Sequence, residues 1–191
     1  MQTTSHLLMI RPVNFCFNAD TATNNAFQVK GHEEGAQAKA LAEFDGFVEK
    51  LRAAGVDVTV VEDTPTPHTP DSIFPNNWIS FHDDGTVVLY PMFAPNRRLE
   101  RKPHVVEEMR KRFHIARIVD MSGSEKNGAY LEGTGSMVLD RDKEIAYACL
   151  SPRTDRSLLE EWCGKAGYRS MAFDAVDDKG APIYHTNVMM C

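Results

Sequence analysis

The strongest constraint on this fold is a repeat. Three helix-to-strand junctions, "AAGVDVTVVED", "RFHIARIVDM" and "KAGYRSMAFDA", put Gly55, His114 and Gly167 at the same point, 59 and 53 residues apart. Each junction follows a segment with helical spacing of apolar residues. In 33–54 these are Leu41, Phe44, Val48 and Leu51; in 103–113, Val105, Met109 and Phe113; in 155–166, Leu158, Leu159 and Trp162. Pro103 suits a first helical turn, and Thr154 or Asp155 can cap the third helix. Gly55 and Gly167 suit a left-handed helix end, where His114 is a less comfortable substitute. Strand pairs follow: "WISFHDD" with "TVVLYPMF", then "SMVLDRD" with "EIAYACLS", both with the look of hairpins. "IYHTNVMM" follows the third junction and reads as an apolar strand. The unit is strand–strand–helix–strand, repeated roughly every 55 residues, which implies units set in a line or around an axis. The alternative is an ordinary mixed α/β domain with chance spacing.

The repeat breaks off inside a unit. "IYHTNVMMC" starts another strand without a partner, and an edge so apolar invites aggregation. Residues 1–191 are therefore expected to be the N-terminal part of a single domain that continues further. The competing expectation is a short chain that binds a small amino acid, or closes the ring as a homo-oligomer through 183–190.

Composition excludes several partners. A net charge of −6 argues against nucleic acid and anionic membranes. No apolar run reaches the ~18 residues of a membrane helix. "MQTTSHLLMIRP" has no basic leader, and its apolar run is too short for a secretion signal, so the chain is read as cytoplasmic. Cys16, Cys149, Cys163 and Cys191 form no CxxC, and the seven His form no HExxH. Free thiols are expected, with no metal and no cofactor.

Polar residues share the rhythm of the helices. Asn77, Glu132 and His185 begin equivalent strands, 55 and 53 residues apart. In a ring of repeats, equivalent positions face a common axis, so an amide, a carboxylate and an imidazole would meet in one pocket. Asn76 and Asn77, side by side in "PDSIFPNNW", look like the mouth of that pocket. Arg97 in "APNRR" and Arg153 in "SPRTD" lie 56 apart, and guanidinium groups suit a carboxylate ligand. Taken singly, Glu132 could be a turn residue, His185 a core histidine and each Arg a solvated one.

The ordered motifs "PDSIFPNNW", "APNRRLER", "LEGTGS", "SPRTD" and "YHTNV" resemble those of the guanidino-group-modifying superfamily. It includes arginine deiminases, dimethylarginine hydrolases and glycine amidinotransferases. The resemblance implies a pentein, a five-bladed α/β propeller of ββαβ units, of which three to three-and-a-half blades would be present. It implies Glu132 as the catalytic acid and His185 as the general acid and base, although Thr134 and Gly135 replace the second glycine and the acid of a "(D/E)GGD"-like motif. Asp71 matches a residue holding the substrate's amino-acid end, and Arg97 and Arg153 match arginines that hold its carboxylate. Asn77 and Asn187 stand where relatives carry guanidinium-binding Asp residues. The nucleophilic Cys of the family lies near the C-terminus and is not matched within 1–191.

The two amides point to the substrate. A guanidinium offers only donors and suits a carboxylate. A ureido group presents a carbonyl oxygen, and facing it with a carboxylate would cost about 1–3 kcal/mol or more. Asn can donate to the C=O and accept from the NH₂. The pattern fits the citrulline ureidase-like branch, with hydrolysis of citrulline to ornithine, ammonia and CO₂. Arginine deiminase or dimethylarginine hydrolase activity, and a site that has lost activity, are the alternatives.

Overall fold

The computed structural model describes residues 3–22, 25, 28, 30–31 and 34–191. In chain order the elements are β1 (His6–Arg11), α1 (Ala19–Ala22), α2 (Ala36–Ala53), β2 (Asp57–Glu62), β3 (Ile79–Phe81), β4 (Thr86–Leu89), α3 (Pro95–Arg98), α4 (Pro103–Arg110), β5 (Arg117–Asp120), α5 (Gly133–Ser136), β6 (Met137–Asp140), β7 (Ile145–Cys149), α6 (Arg156–Ala166) and β8 (Arg169–Phe173). They fall into two compact units. The first comprises residues 76–93 and 112–191; the second, 3–75 and 94–111.

The first unit holds two three-stranded sheets of one design. β3 pairs antiparallel with β4, and β4 parallel with β5. β6 pairs antiparallel with β7, and β7 parallel with β8. Each hairpin turns on a left-handed residue. Gly85 (φ 77) serves the first, where a side chain would also press on the His114–Ala116 backbone; Glu144 (φ 54) serves the second. α6 is the parallel crossover between β7 and β8. The Asp155 side chain caps it by accepting from the Ser157 and Leu158 N–H groups. Gly167 (φ 77) ends it, and the Tyr168 N–H returns to the Cys163 carbonyl at 2.9 Å. Its apolar face, Leu158, Leu159, Trp162 and Cys163, enters one core with Val88 and Tyr90 from the first sheet region and Met137, Leu139, Ala146 and Ala148 from the second sheet. One helix thereby shares a core with both sheets.

The second unit contains β1 and β2, paired in parallel with α2 as their crossover. The α2 stripe Leu41, Phe44, Val48 and Leu51 is the predicted one, with Val48 fully buried. Gly55 (φ 85) closes that helix. A buried Lys102 holds the 63–69 loop: its Nζ donates to Asp63 Oδ1 (2.5 Å), Thr69 Oγ1 (2.9 Å) and the Thr64 and Pro67 carbonyls (both 3.2 Å).

The repeat is present, with three local corrections. The helix expected over 103–113 ends at Arg110, and His114 is not left-handed; Asn14 and Glu144 are the non-glycine residues with positive φ among those described. A Cβ disfavours that conformation, so the chain leaves the helix earlier through a turn. The helix expected from residue 33 begins at Ala36, and Glu33 lies outside the described residues. The third correction concerns "IYHTNVMM", which is no strand: Thr186–Val188 form a 3-10 turn, with the Met189 N–H on the Thr186 carbonyl at 3.1 Å. Helical turns also occupy Pro75–Asn77 before β3 and Gly133–Ser136 before β6. The recurring element ahead of each hairpin is therefore a turn.

Candidate active site

Glu132 sits in the first unit between buried Leu131 and α5, and its side chain is fully buried. A buried carboxylate must be paired. The Phe93 backbone N–H donates to Oε1 at 2.9 Å. At Oε2 it meets His185 Nε2 at 2.7 Å and Arg153 Nη1 at 3.4 Å. A carboxylate only accepts, so His185 must carry its proton on Nε2. In the neutral ring the lone pair then resides on Nδ1, the atom suited to take a proton.

Arg153 and His185 are buried with it. The Arg153 guanidinium stands over the Tyr184 ring, 4.9 Å from its centroid, and that ring lies 4.9 Å from the His185 ring, centroid to centroid. Glu132, Arg153, Tyr184 and His185 thus form a closed set of contacts in which one acid orients one base and holds one cation.

Asn77 is brought to the same place by glycine. A Cβ added to Gly135 would lie 2.3 Å from Asn77 Nδ2, 2.8 Å from His185 Cε1 and 2.9 Å from His185 Nδ1. The amide and the imidazole therefore meet at the α-carbon of Gly135. This explains the missing acid at the fourth position of "EGTG": no side chain fits there. Gly133 (φ 46) is equally constrained, because its Cβ would lie 2.3 Å from the Asn76 carbonyl oxygen. That carbonyl also accepts from the Thr134 hydroxyl at 3.4 Å.

A buried hydroxyl network supports the set. Ser136 Oγ accepts from the Glu132 N–H (2.9 Å) and the Thr154 hydroxyl (2.8 Å), and donates to the Arg153 carbonyl (2.9 Å). Ser136, Thr186, Tyr184 and the Phe93 amide were not singled out from the sequence. Ser and Thr beside the motif residues were the available signal; nothing local marked Phe93.

Asn187 is exposed on the turn after His185. Asp71 and Arg97 belong to the second unit. There Arg97 is buried and gripped by Glu100, Nε to Oε1 and Nη2 to Oε2, both 2.9 Å, while Nη2 also reaches the Phe74 carbonyl at 3.3 Å. Asp71 Oδ2 lies 3.8 Å from Arg97 Nε and accepts from Asn18 Nδ2 (2.7 Å) and the Thr21 hydroxyl (3.1 Å).

Among the described residues no disulfide forms: Cys149 and Cys163 are buried, Cys16 half-buried and Cys191 exposed. Burial pushes the Cys149 thiol up, and the Cys163 thiol up to about 11. Among the described residues, no group of three or more His, Cys, Asp or Glu is arranged to hold a metal ion, and no helix is long and apolar enough to cross a membrane.

Residues 11–191 match the family described as N,N dimethylarginine dimethylhydrolase, eukaryotic. No curated protein matches the chain. Among solved structures, the chain is similar to the N-terminal domain of ArgZ, a cyanobacterial arginine dihydrolase, with a TM-score of 0.68 and 15% identity. That likeness covers 93% of this chain and 60% of the other. A dimethylarginine hydrolase of Pseudomonas aeruginosa, solved as a Cys-to-Ser variant with citrulline, gives 0.64 and 17%, covering 94% and 62%. AgrE, solved as a Cys-to-Ala variant with L-arginine, gives 0.70 and 17%, covering 93% and 25%. The chain thus spans less than two thirds of the length of these structures. At such identities the likeness shows a shared fold, the pentein of ββαβ units, with no closed barrel among the described residues.

Proposed function

Because the chain belongs to the dimethylarginine dimethylhydrolase family, we propose that it carries the acid–base half of a hydrolase cleaving a C–N bond of a guanidino or ureido amino acid, with citrulline as the preferred substrate. The observation that carries this reading is the meeting of the Asn77 amide with the His185 imidazole at Gly135, while Glu132 holds the far side of the ring.

In the proposed reaction a cysteine thiolate attacks the ureido carbon. His185 Nδ1, protonated by the thiol as the thiolate forms, delivers that proton to the departing amine and then takes one from the attacking water. Glu132 keeps the ring in the required tautomer and stabilises it when charged. Asn77 donates to the ureido oxygen, which a carboxylate could not do. Citrulline and water give ornithine, ammonia and CO₂. In this reading the thiolate comes from outside residues 1–191, because no cysteine within them matches the family's nucleophile; Cys149 and Cys163 are core thiols whose burial disfavours the thiolate.

A second reading, an arginine dihydrolase, is favoured by the likeness to ArgZ. The full natural polypeptide distinguishes the two. The citrulline reading expects ornithine from L-citrulline and little from L-arginine, and Asn77→Asp should move preference toward arginine. Ornithine formed from both substrates at similar rates would establish the dihydrolase. Unchanged relative turnover in Asn77→Asp would refute the role given to the amide.

A further inference from the structure

His185 precedes a short turn that is largely open to solvent: Asn187, Val188 and Met189 are exposed. Thr186 is the exception, with no exposed surface. Its hydroxyl donates to the Ser136 carbonyl at 2.6 Å and accepts from the Cys149 N–H at 2.7 Å. Ser136 ends α5, and its own N–H returns to the Glu132 carbonyl at 3.1 Å while its Oγ receives the Glu132 N–H. The main chain of the base is thus joined to the main chain of the acid through Thr186 and Ser136. On the other side of His185, the Ser151 hydroxyl donates to the Tyr184 carbonyl at 2.8 Å.

We infer that Thr186 is a positioning residue that sets the His185 imidazole against Glu132. The inference rests on the proposed role of His185 as general acid and base. A carbonyl and an N–H converge on one point next to the base, and only a group that both donates and accepts satisfies them together. Serine offers the same hydroxyl. Valine offers the same shape without it, leaving a buried donor and a buried acceptor unpaired. The turn then has no fixed height over β6 and β7, and the short bond between His185 and Glu132 is lost. Misplacement of a catalytic group on the scale of an ångström costs on the order of 100-fold in rate.

The test compares Thr186→Val and Thr186→Ser in the full natural polypeptide, with circular dichroism confirming the fold. Two quantities are read: the ¹⁵N shifts of the His185 imidazole, which report its bond to a carboxylate, and kcat and KM for citrulline. Thr186→Val is expected to move the imidazole shifts and lower kcat about 10-fold to 100-fold with little change in KM; Thr186→Ser should restore both. Wild-type imidazole shifts in folded Thr186→Val would overturn the inference. Should Thr186→Val not fold, Thr186→Ser decides: wild-type shifts support the hydroxyl's role, and altered shifts overturn it. Because the shifts need no turnover, a wild type inactive on citrulline with the expected shift pattern would refute the proposed function and leave the positioning role standing.

Discussion

His185 Nε2 lies 2.7 Å from Glu132 Oε2, and the two residues stand 53 positions apart in the chain. The carboxylate also receives the Phe93 amide and the Arg153 guanidinium, so both of its oxygens face donors. Glu132→Gln must turn its NH₂ toward one of those donor sets. Turnover is expected to fall about 10²-fold to 10⁴-fold. Breaking the buried pairing should also cost about 3–5 kcal/mol in urea unfolding. Wild-type turnover in Glu132→Gln would remove Glu132 from the mechanism.

Two glycines should respond in opposite directions to the same methyl group. Gly135→Ala places a carbon 2.3 Å from Asn77 Nδ2 and close to the His185 ring, so something must shift. About 1–3 kcal/mol of stability and most citrulline binding should be lost. Gly164, inside α6, has nothing within 4 Å of such a carbon. Gly164→Ala should therefore stabilise the fold by about 0.5–1 kcal/mol and leave binding alone. Thermal melts with calorimetric titration of citrulline compare the pair; equal effects at both sites would contradict the packing described at Gly135.

Stability should decline in mild acid because of His82. Its Nε2 lies 2.9 Å from Ser80 Oγ, and its ring packs 6.1 Å from Trp162, centroid to centroid. Burial, reinforced by the Arg141 charge, holds its pKa below the ordinary 6.5. The native state thus keeps the ring neutral where the unfolded chain already binds a proton. This contribution is fully present above pH 6.5 and is lost as pH falls through the lower native value. Urea midpoints between pH 7.5 and 5 should drop in the wild type and less steeply in His82→Gln. Parallel slopes would assign the acid sensitivity to other groups.

The cysteines should alkylate in order of exposure. Cys191 is exposed and Cys16 half-buried, whereas burial covers Cys149 and Cys163 and pushes the Cys163 thiol up to about 11. At pH 8 the thiolate fraction at Cys163 is small, and reagents reach it only on opening of the fold. Iodoacetamide followed by peptide mass spectrometry should mark Cys191 first and the two core thiols last. Early labelling of Cys149 would mean that a core strand opens readily.

The sequence by itself determined the parts of this protein that depend on near neighbours. The stripe Leu41, Phe44, Val48 and Leu51, a cap at Thr154 or Asp155, Gly55 and Gly167 as helix ends, and the ~55-residue ββαβ rhythm are all set by local backbone preference and apolar spacing. That rhythm also placed Asn77, Glu132 and His185 at matching points of successive units. Tertiary structure decided what those residues touch. The Glu132 carboxylate depends on a backbone amide 39 residues earlier, and Arg153 divides its charge between Glu132 and the Tyr184 ring. Arg97, so similar to Arg153 in sequence rhythm, is held by Glu100 in the other unit. "IYHTNVMM" has the composition of a strand, yet it turns. Its buried anchor, Thr186, finds its partners on Ser136 and Cys149, far away in the chain, and hydrogen bonds of that kind leave no periodic trace in the sequence.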